Sequence, residues 1–213
     1  MSKKKYKYLF FDMDGTISNS YPGIADALDA AFEHYGLDID RSSYRKYIGP
    51  PLSDTFRDLL GEDMAYDAVA WFREYYINNG CILNNPVYDG IPETMKELKE
   101  RGYILGIASC KKHEEVVMLA KHFGIYDYMT CISGLVYGVR EEKAEVLQYA
   151  IDSMGVAARD CIMIGDTVYD IEGAAQVGMD CILCSWGFAD ERAVGDNIVY
   201  TAGNPSDLIK FFD

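Results

Sequence analysis

The chain has 213 residues, 49% hydrophobic and 25% charged, a balance that excludes disordered and fibrous classes and allows one sizeable domain or a core carrying a smaller insertion. The net charge of −14 argues against nucleic acid and anionic membrane as partners, because both require basic surface to offset phosphate charge. A small phosphorylated metabolite is repelled too, unless local cations reverse the field at its site.

At the N-terminus, Lys3, Lys4, Lys5 and Lys7 precede the apolar run Leu9, Phe10 and Phe11. That run stops at Asp12, too soon for the apolar stretch of a signal peptide, and no other segment reaches the length of a transmembrane helix. The six cysteines are scattered, mostly within apolar runs. With no secretion signal they read as reduced thiols of a cytoplasmic protein. Cys181 and Cys184 form a C-x-x-C, but in a buried strand residues three apart face opposite ways, so no metal site is expected there.

Short apolar runs rich in β-formers predict strands at Tyr8 to Phe11, Ile104 to Ala108, Met129 to Ser133, Cys161 to Ile164, Cys181 to Cys184 and Ile198 to Tyr200. Helical patterns closed by glycine run from Pro92 to Arg101, Glu114 to Phe123, Lys143 to Met154 and Ile171 to Gln176. Every strand after the first is therefore expected to follow a crossover helix. The fold class is α/β, a Rossmann-like parallel sheet flanked by helices.

Residues 20–85 break that alternation. Helical segments at Gly23 to Tyr35, Ser53 to Leu60 and Met64 to Asn79, with no convincing strand, predict an inserted α-helical domain. The core is then 1–19 and 86–213. Tyr66, Trp71, Phe72, Tyr75 and Tyr76 recur at helical spacings and are expected to pack the insertion. His34, His113 and His122 lie on or beside helices and receive no catalytic role.

Ligands of parallel α/β sheets bind beyond the carboxyl ends of the strands, which is where Asp12, Ser109 and Asp166 are expected to meet. In Asp12-Met13-Asp14-Gly15-Thr16, residues two apart share a side, so both carboxylates address one substrate. One can attack phosphorus while the other handles the proton, dividing a hydrolysis that needs acceleration on the order of 10²¹-fold into two easier steps. Paired carboxylates facing a phosphate call for a hard cation such as Mg²⁺, with Asp166 a third ligand.

Ser109 is placed to donate to a phosphate oxygen, helped by the N–H groups of the helix expected to start after it. Lys143 suits charge neutralisation at the nucleophile, with Lys111 and Arg140 as rivals. Taken singly, Asp12, Asp14, Asp166 and Asp170 are explained as well by turns and helix caps. Only the set carries the chemistry.

Over nearly the whole chain this order of motifs resembles the haloacid dehalogenase superfamily, in its phosphoglycolate phosphatase-like and bacterial 5'-nucleotidase-like branch. The residues concerned are Asp12 to Thr16, Ser109, Lys143, and Gly165-Asp166 with Asp170. The resemblance implies a phosphatase with Asp12 as nucleophile and Asp14 as general acid/base. It also implies Mg²⁺ held by Asp12, the Asp14 carbonyl and Asp166, with Asp170 supporting that shell. The insertion then becomes a mobile cap whose loop, Ile48 to Leu52, contributes Gly49 with Arg45 or Lys46 nearby, while Lys111 joins the substrate contacts. Ser109-Cys110, Asn19-Ser20 and Lys143-Ala144 depart from common family pairs. A sugar-phosphate mutase shares all four motifs, and a phospho-accepting signalling or binding module shares the acidic residues, hydroxyl and lysine.

Overall fold

The computed structural model describes residues 6–48 and 52–213. They divide into two compact units, residues 19–86 and the remainder.

The larger unit is built on six parallel strands: β1 (Tyr8–Phe11), β2 (Ile104–Lys112), β3 (Met129–Leu135), β4 (Cys161–Gly165), β5 (Asp180–Cys184) and β6 (Ile198–Ala202), in spatial order β3-β2-β1-β4-β5-β6. Its first strand is central. Tyr8 pairs with Ile104 on one side and Cys161 on the other, so the strand order reverses at β1, the place where such sheets open a crevice. Strands covered on both faces are apolar throughout, and Leu9, Phe10 and Phe11 are all buried.

In the insertion, α1 (Tyr21–His34), α2 (Leu52–Leu60) and α3 (Glu62–Asn78) pack with a 3-10 stretch at Arg41–Tyr47. Leu28, Ala31, Phe32, Phe56, Ala68 and Phe72 form its buried positions. In the larger unit follow α4 (Ile91–Glu100), α5 (His113–His122), α6 (Lys143–Met154), α7 (Val168–Gln176) and α8 (Ser206–Phe211). Val146, Leu147 and Ala150 of α6 and Ile171 and Ala174 of α7 close over Phe10, Ala108 and Met163 in one apolar cluster. No described helix is long and apolar enough to cross a membrane, and all six cysteines are free.

Several expectations require correction. No helix precedes β6: residues 185–197 connect two parallel strands through turns alone. The second strand runs on to Lys112 rather than ending at Ala108, so Ser109 lies within it and the next helix begins only at His113. Four steps of β2, from Ala108 to Lys112, oppose two of β3, from Ser133 to Leu135, which makes residues 109–111 a bulge of the kind that re-aims side chains beside functional sites. The helix expected from Ile171, α7, starts at Val168, three residues early, because Thr167 and Asp170 form a capping box. Tyr66 does not pack the insertion; it is 84% exposed. Trp71 does stack, between His34 and Tyr75.

Candidate active site

The crevice beyond β1 is assembled from chain segments far apart in sequence. Asp12 follows β1 directly, its N–H donating to Ile164 O of β4 at 2.9 Å. The chain then turns sharply: Ser18 N–H returns to Met13 O at 3.0 Å and Gly15 N–H to Ser18 O at 2.8 Å. That turn requires φ +83° at Gly15, which glycine adopts without a Cβ penalty. Asp14 is thereby presented beside Asp12.

Lys143, the first residue of α6, is buried and reaches back under β1. Its ammonium meets Asp12 Oδ1 at 2.8 Å, Ala108 O at 3.0 Å and Asp170 Oδ1 at 2.6 Å. Two hydrogen bonds, to Asp12 and Ala108, and an ion pair with Asp170 hold the side chain in place. Burial works to lower the pKa of this ammonium, but Asp12 and Asp170 outweigh it and hold it well above the ordinary value.

Asp170 also organises the start of α7. Its Oδ2 accepts from the N–H groups of Asp166 and Thr167 and from the Thr167 hydroxyl, at 3.1, 2.9 and 2.9 Å. Asp170 is therefore a helix-start residue and a partner of Lys143 at once. Asp166 is fully buried, with Oδ1 accepting from the Thr16 hydroxyl at 2.8 Å and Oδ2 from Phe188 N–H at 2.6 Å.

Carboxylate oxygens of Asp12, Asp166 and Asp170 lie within 4.8 Å of one another, all buried. One ammonium cannot neutralise three carboxylates. Burial pushes the Asp12 carboxyl up to about 6 despite Lys143, with Asp170 and Asp14 adding to the rise. Burial also lifts Asp166 well above the usual range, reinforced by Asp170 and Asp12. Oxygen-only donors with excess negative charge are the donor set of a hard divalent cation, so the residues present fit such an ion.

Asp14 is half-buried. Its Oδ2 pairs with the Lys111 ammonium at 3.1 Å, while Oδ1 is shielded from solvent and accepts no hydrogen bond from the described residues. The bulge in β2 carries Lys111, and Ser109 Oγ accepts from Lys111 N–H at 3.3 Å. Ser109 thus braces the bulge and is not a helix cap. Of the candidate cations, Arg140 lies elsewhere, its Nε on Gly134 O at 2.7 Å and its guanidinium over the Tyr149 ring at 4.0 Å. Arg45 and Lys46 occupy exposed positions of the 3-10 stretch in the helical unit. Gly49, with Pro50 and Pro51, lies outside the described residues.

Sequence reasoning missed the segment after β5. Phe188 N–H reaches Asp166, and the Trp186 indole N–H donates to Thr16 O at 3.1 Å. The signal was available: β5 is a neighbour of β4, so its carboxyl end opens on the same crevice.

Comparison with known proteins agrees with this architecture. A family model described as haloacid dehalogenase-like hydrolase matches residues 9–184. A 5'-nucleotidase of Pseudomonas aeruginosa is 35% identical over 191 residues, 88% of this chain and 86% of that protein. A tyrosine-protein kinase, PtkA, of Mycobacterium tuberculosis is 31% identical over 183 residues, 84% of this chain, which spans only 62% of that kinase's length. Among solved structures, a haloacid dehalogenase-like family hydrolase from Streptococcus pneumoniae superposes with a TM-score of 0.92 at 28% identity, covering 98% of this chain and 99% of that one. The chain belongs to the haloacid dehalogenase-like hydrolase family, as an enzyme of its phosphatase branch.

Proposed function

We propose that the protein is a Mg²⁺-dependent phosphatase that hydrolyses a small phosphate monoester through an aspartyl-phosphate on Asp12. The observation that carries this reading is the fixing of Asp12 by the buried Lys143 ammonium, with Asp14 two residues on and a carboxylate cluster behind it. Lys143 favours the ionised form of Asp12, the more nucleophilic form and the one suited to attack phosphorus. Asp12, the Asp14 backbone carbonyl and Asp166 hold the cation, with Asp170 supporting them. When bound, Mg²⁺ supplies Lewis-acid polarisation of the phosphoryl group and neutralises its charge.

In the first step an Asp12 carboxylate oxygen attacks phosphorus, the ester P–O bond breaks, and Asp14 gives its proton to the departing oxygen. In the second, Asp14 takes a proton from water, whose oxygen attacks phosphorus, releasing inorganic phosphate and restoring the Asp12 carboxylate. The unpartnered Asp14 Oδ1 supports both proton transfers, and Lys111 holds the other oxygen in place. Ser109 and Lys111 are the substrate-side hydroxyl and ammonium.

The likeness to a 5'-nucleotidase favours a nucleoside monophosphate as substrate, with phosphoglycolate the next choice from the motif resemblance. A phosphotransferase in which the phosphoryl group passes to a second substrate is the other reading, and the likeness to a tyrosine kinase supports it. Phosphate release from p-nitrophenyl phosphate, phosphoglycolate, nucleoside monophosphates and sugar phosphates, with Mg²⁺ or EDTA, tests the proposal. Release that needs both Mg²⁺ and Asp12, absent from Asp12→Asn, is the expected result. Phosphoryl transfer without net phosphate release moves the assignment to a phosphotransferase.

A further inference from the structure

We infer that the connection after β5, and Trp186 within it, is a positioning element that clamps Asp166 in the orientation its cation requires. This deepens the proposed function and rests on its assignment of Asp166 to the metal.

Both oxygens of Asp166 are restrained by groups from opposite sides. The Thr16 hydroxyl donates to Oδ1 at 2.8 Å and Phe188 N–H to Oδ2 at 2.6 Å. Those two donors are themselves tied together, because the Trp186 indole N–H donates to the Thr16 carbonyl at 3.1 Å across 170 residues of sequence. The result is a bracket of three hydrogen bonds, from the Thr16 hydroxyl to Asp166, from the Trp186 indole to the Thr16 carbonyl, and from the Phe188 N–H to Asp166.

Steric fit says the same. A Cβ on Gly187 would lie 2.2 Å from Gly15 O and 2.4 Å from Asp166 Oδ2. A Cβ on Gly15 would lie 2.0 Å from Asp166 Oδ2 and 2.7 Å from Phe188 Cδ2. Neither position has room for a single carbon, so the two turns touch backbone to backbone around one carboxylate. The absence of a crossover helix before β6 fits this role, since residues 185–188 turn across the carboxyl end of the sheet directly. Each oxygen of a carboxylate has a second lone pair, so an Asp166 held this way keeps acceptor capacity for a cation while losing its freedom to rotate. Groups that orient a ligand in this manner change metal affinity by about 10- to 100-fold when removed.

The test measures free Mn²⁺ by electron paramagnetic resonance over full-length protein, with thermal denaturation in EDTA as a check on the fold. Trp186→Phe keeps an aromatic ring and loses the indole N–H; Gly187→Ala intrudes on Asp166; Asp166→Asn is the control for the site itself. Weakening of Mn²⁺ binding by about 10-fold or more in Trp186→Phe and Gly187→Ala, with the EDTA melting curve of Trp186→Phe unchanged, is expected. Should either variant fail to fold, the hydroxyl decides: Thr16→Val weakens binding by the same order while Thr16→Ser restores it to within about twofold. Wild-type Mn²⁺ affinity in Trp186→Phe and Gly187→Ala, alongside loss of binding in Asp166→Asn, overturns the clamp and leaves the metal site standing. Wild-type affinity in Asp166→Asn overturns the metal assignment, and the clamp with it.

Discussion

The ammonium of Lys143 lies 2.8 Å from Asp12 Oδ1 across 131 residues of chain, with both side chains withdrawn from solvent. Removing one member of such a pair leaves the other as an uncompensated buried charge, a larger penalty than the loss of the contact alone. Here the same ammonium serves Asp170, so two carboxylates are stranded together. Lys143→Met is therefore expected to cost about 3–5 kcal/mol in the metal-free protein, read from urea unfolding. A cost below about 1 kcal/mol would show that the pair adds little to the fold.

Asp12 also makes stability depend on pH. Its ordinary value is 3.8, and burial raises it to about 6 in the folded metal-free protein. The folded state then binds this proton more tightly than the unfolded state, so between pH 4 and 6 stability falls as pH rises, by an amount on the order of 3 kcal/mol. Asp12→Asn has no proton to lose, so in EDTA its stability advantage over wild type should widen across that interval. A gap that stays constant with pH would refute the raised carboxyl.

Within the insertion, α3 offers a contrast between two aromatic residues six positions apart. Phe72 is buried against Phe56 and Tyr76, whereas Tyr66 is 84% exposed. Phe72→Ala should cost about 3–5 kcal/mol and Tyr66→Ser less than about 0.5 kcal/mol, both by denaturant titration. Equal costs would mean that Tyr66 is covered in solution.

Six strands are legible in the sequence because short runs rich in β-formers alternate with helical patterns closed by glycine. The convergence of Asp12 and Asp166 is legible because both follow strands of a parallel sheet, whereas the choice of Lys143 over Lys111 and Arg140, and the support from Asp170, come from the order of motifs in the resemblance. Part of what the sequence hides lacks a side-chain signature, although Trp186 acts through its indole N–H. Phe188 acts through its backbone N–H, which is the same in every residue but proline, and the bulge at 109–111 is visible only once Ser133 to Leu135 are seen to oppose it. Tyr66 has the spacing of a core residue and the opposite burial, since periodicity finds a face without saying how far around the helix the neighbours reach.

The central place of β1 in the sheet bears on the order of folding. Tyr8 must wait for Ile104 and then Cys161 before both its edges are satisfied. At about 5–20 residues per second of translation, β1 spends on the order of 10 to 30 s on the ribosome without its second neighbour. One edge of its apolar run Leu9-Phe10-Phe11 lacks its partner until β4 is made, whereas the contacts of the helical insertion are all available once residue 86 has emerged. Chaperone dependence during synthesis should therefore track the β1 run, and be relieved by rearranging the chain so that β1 is made next to β4.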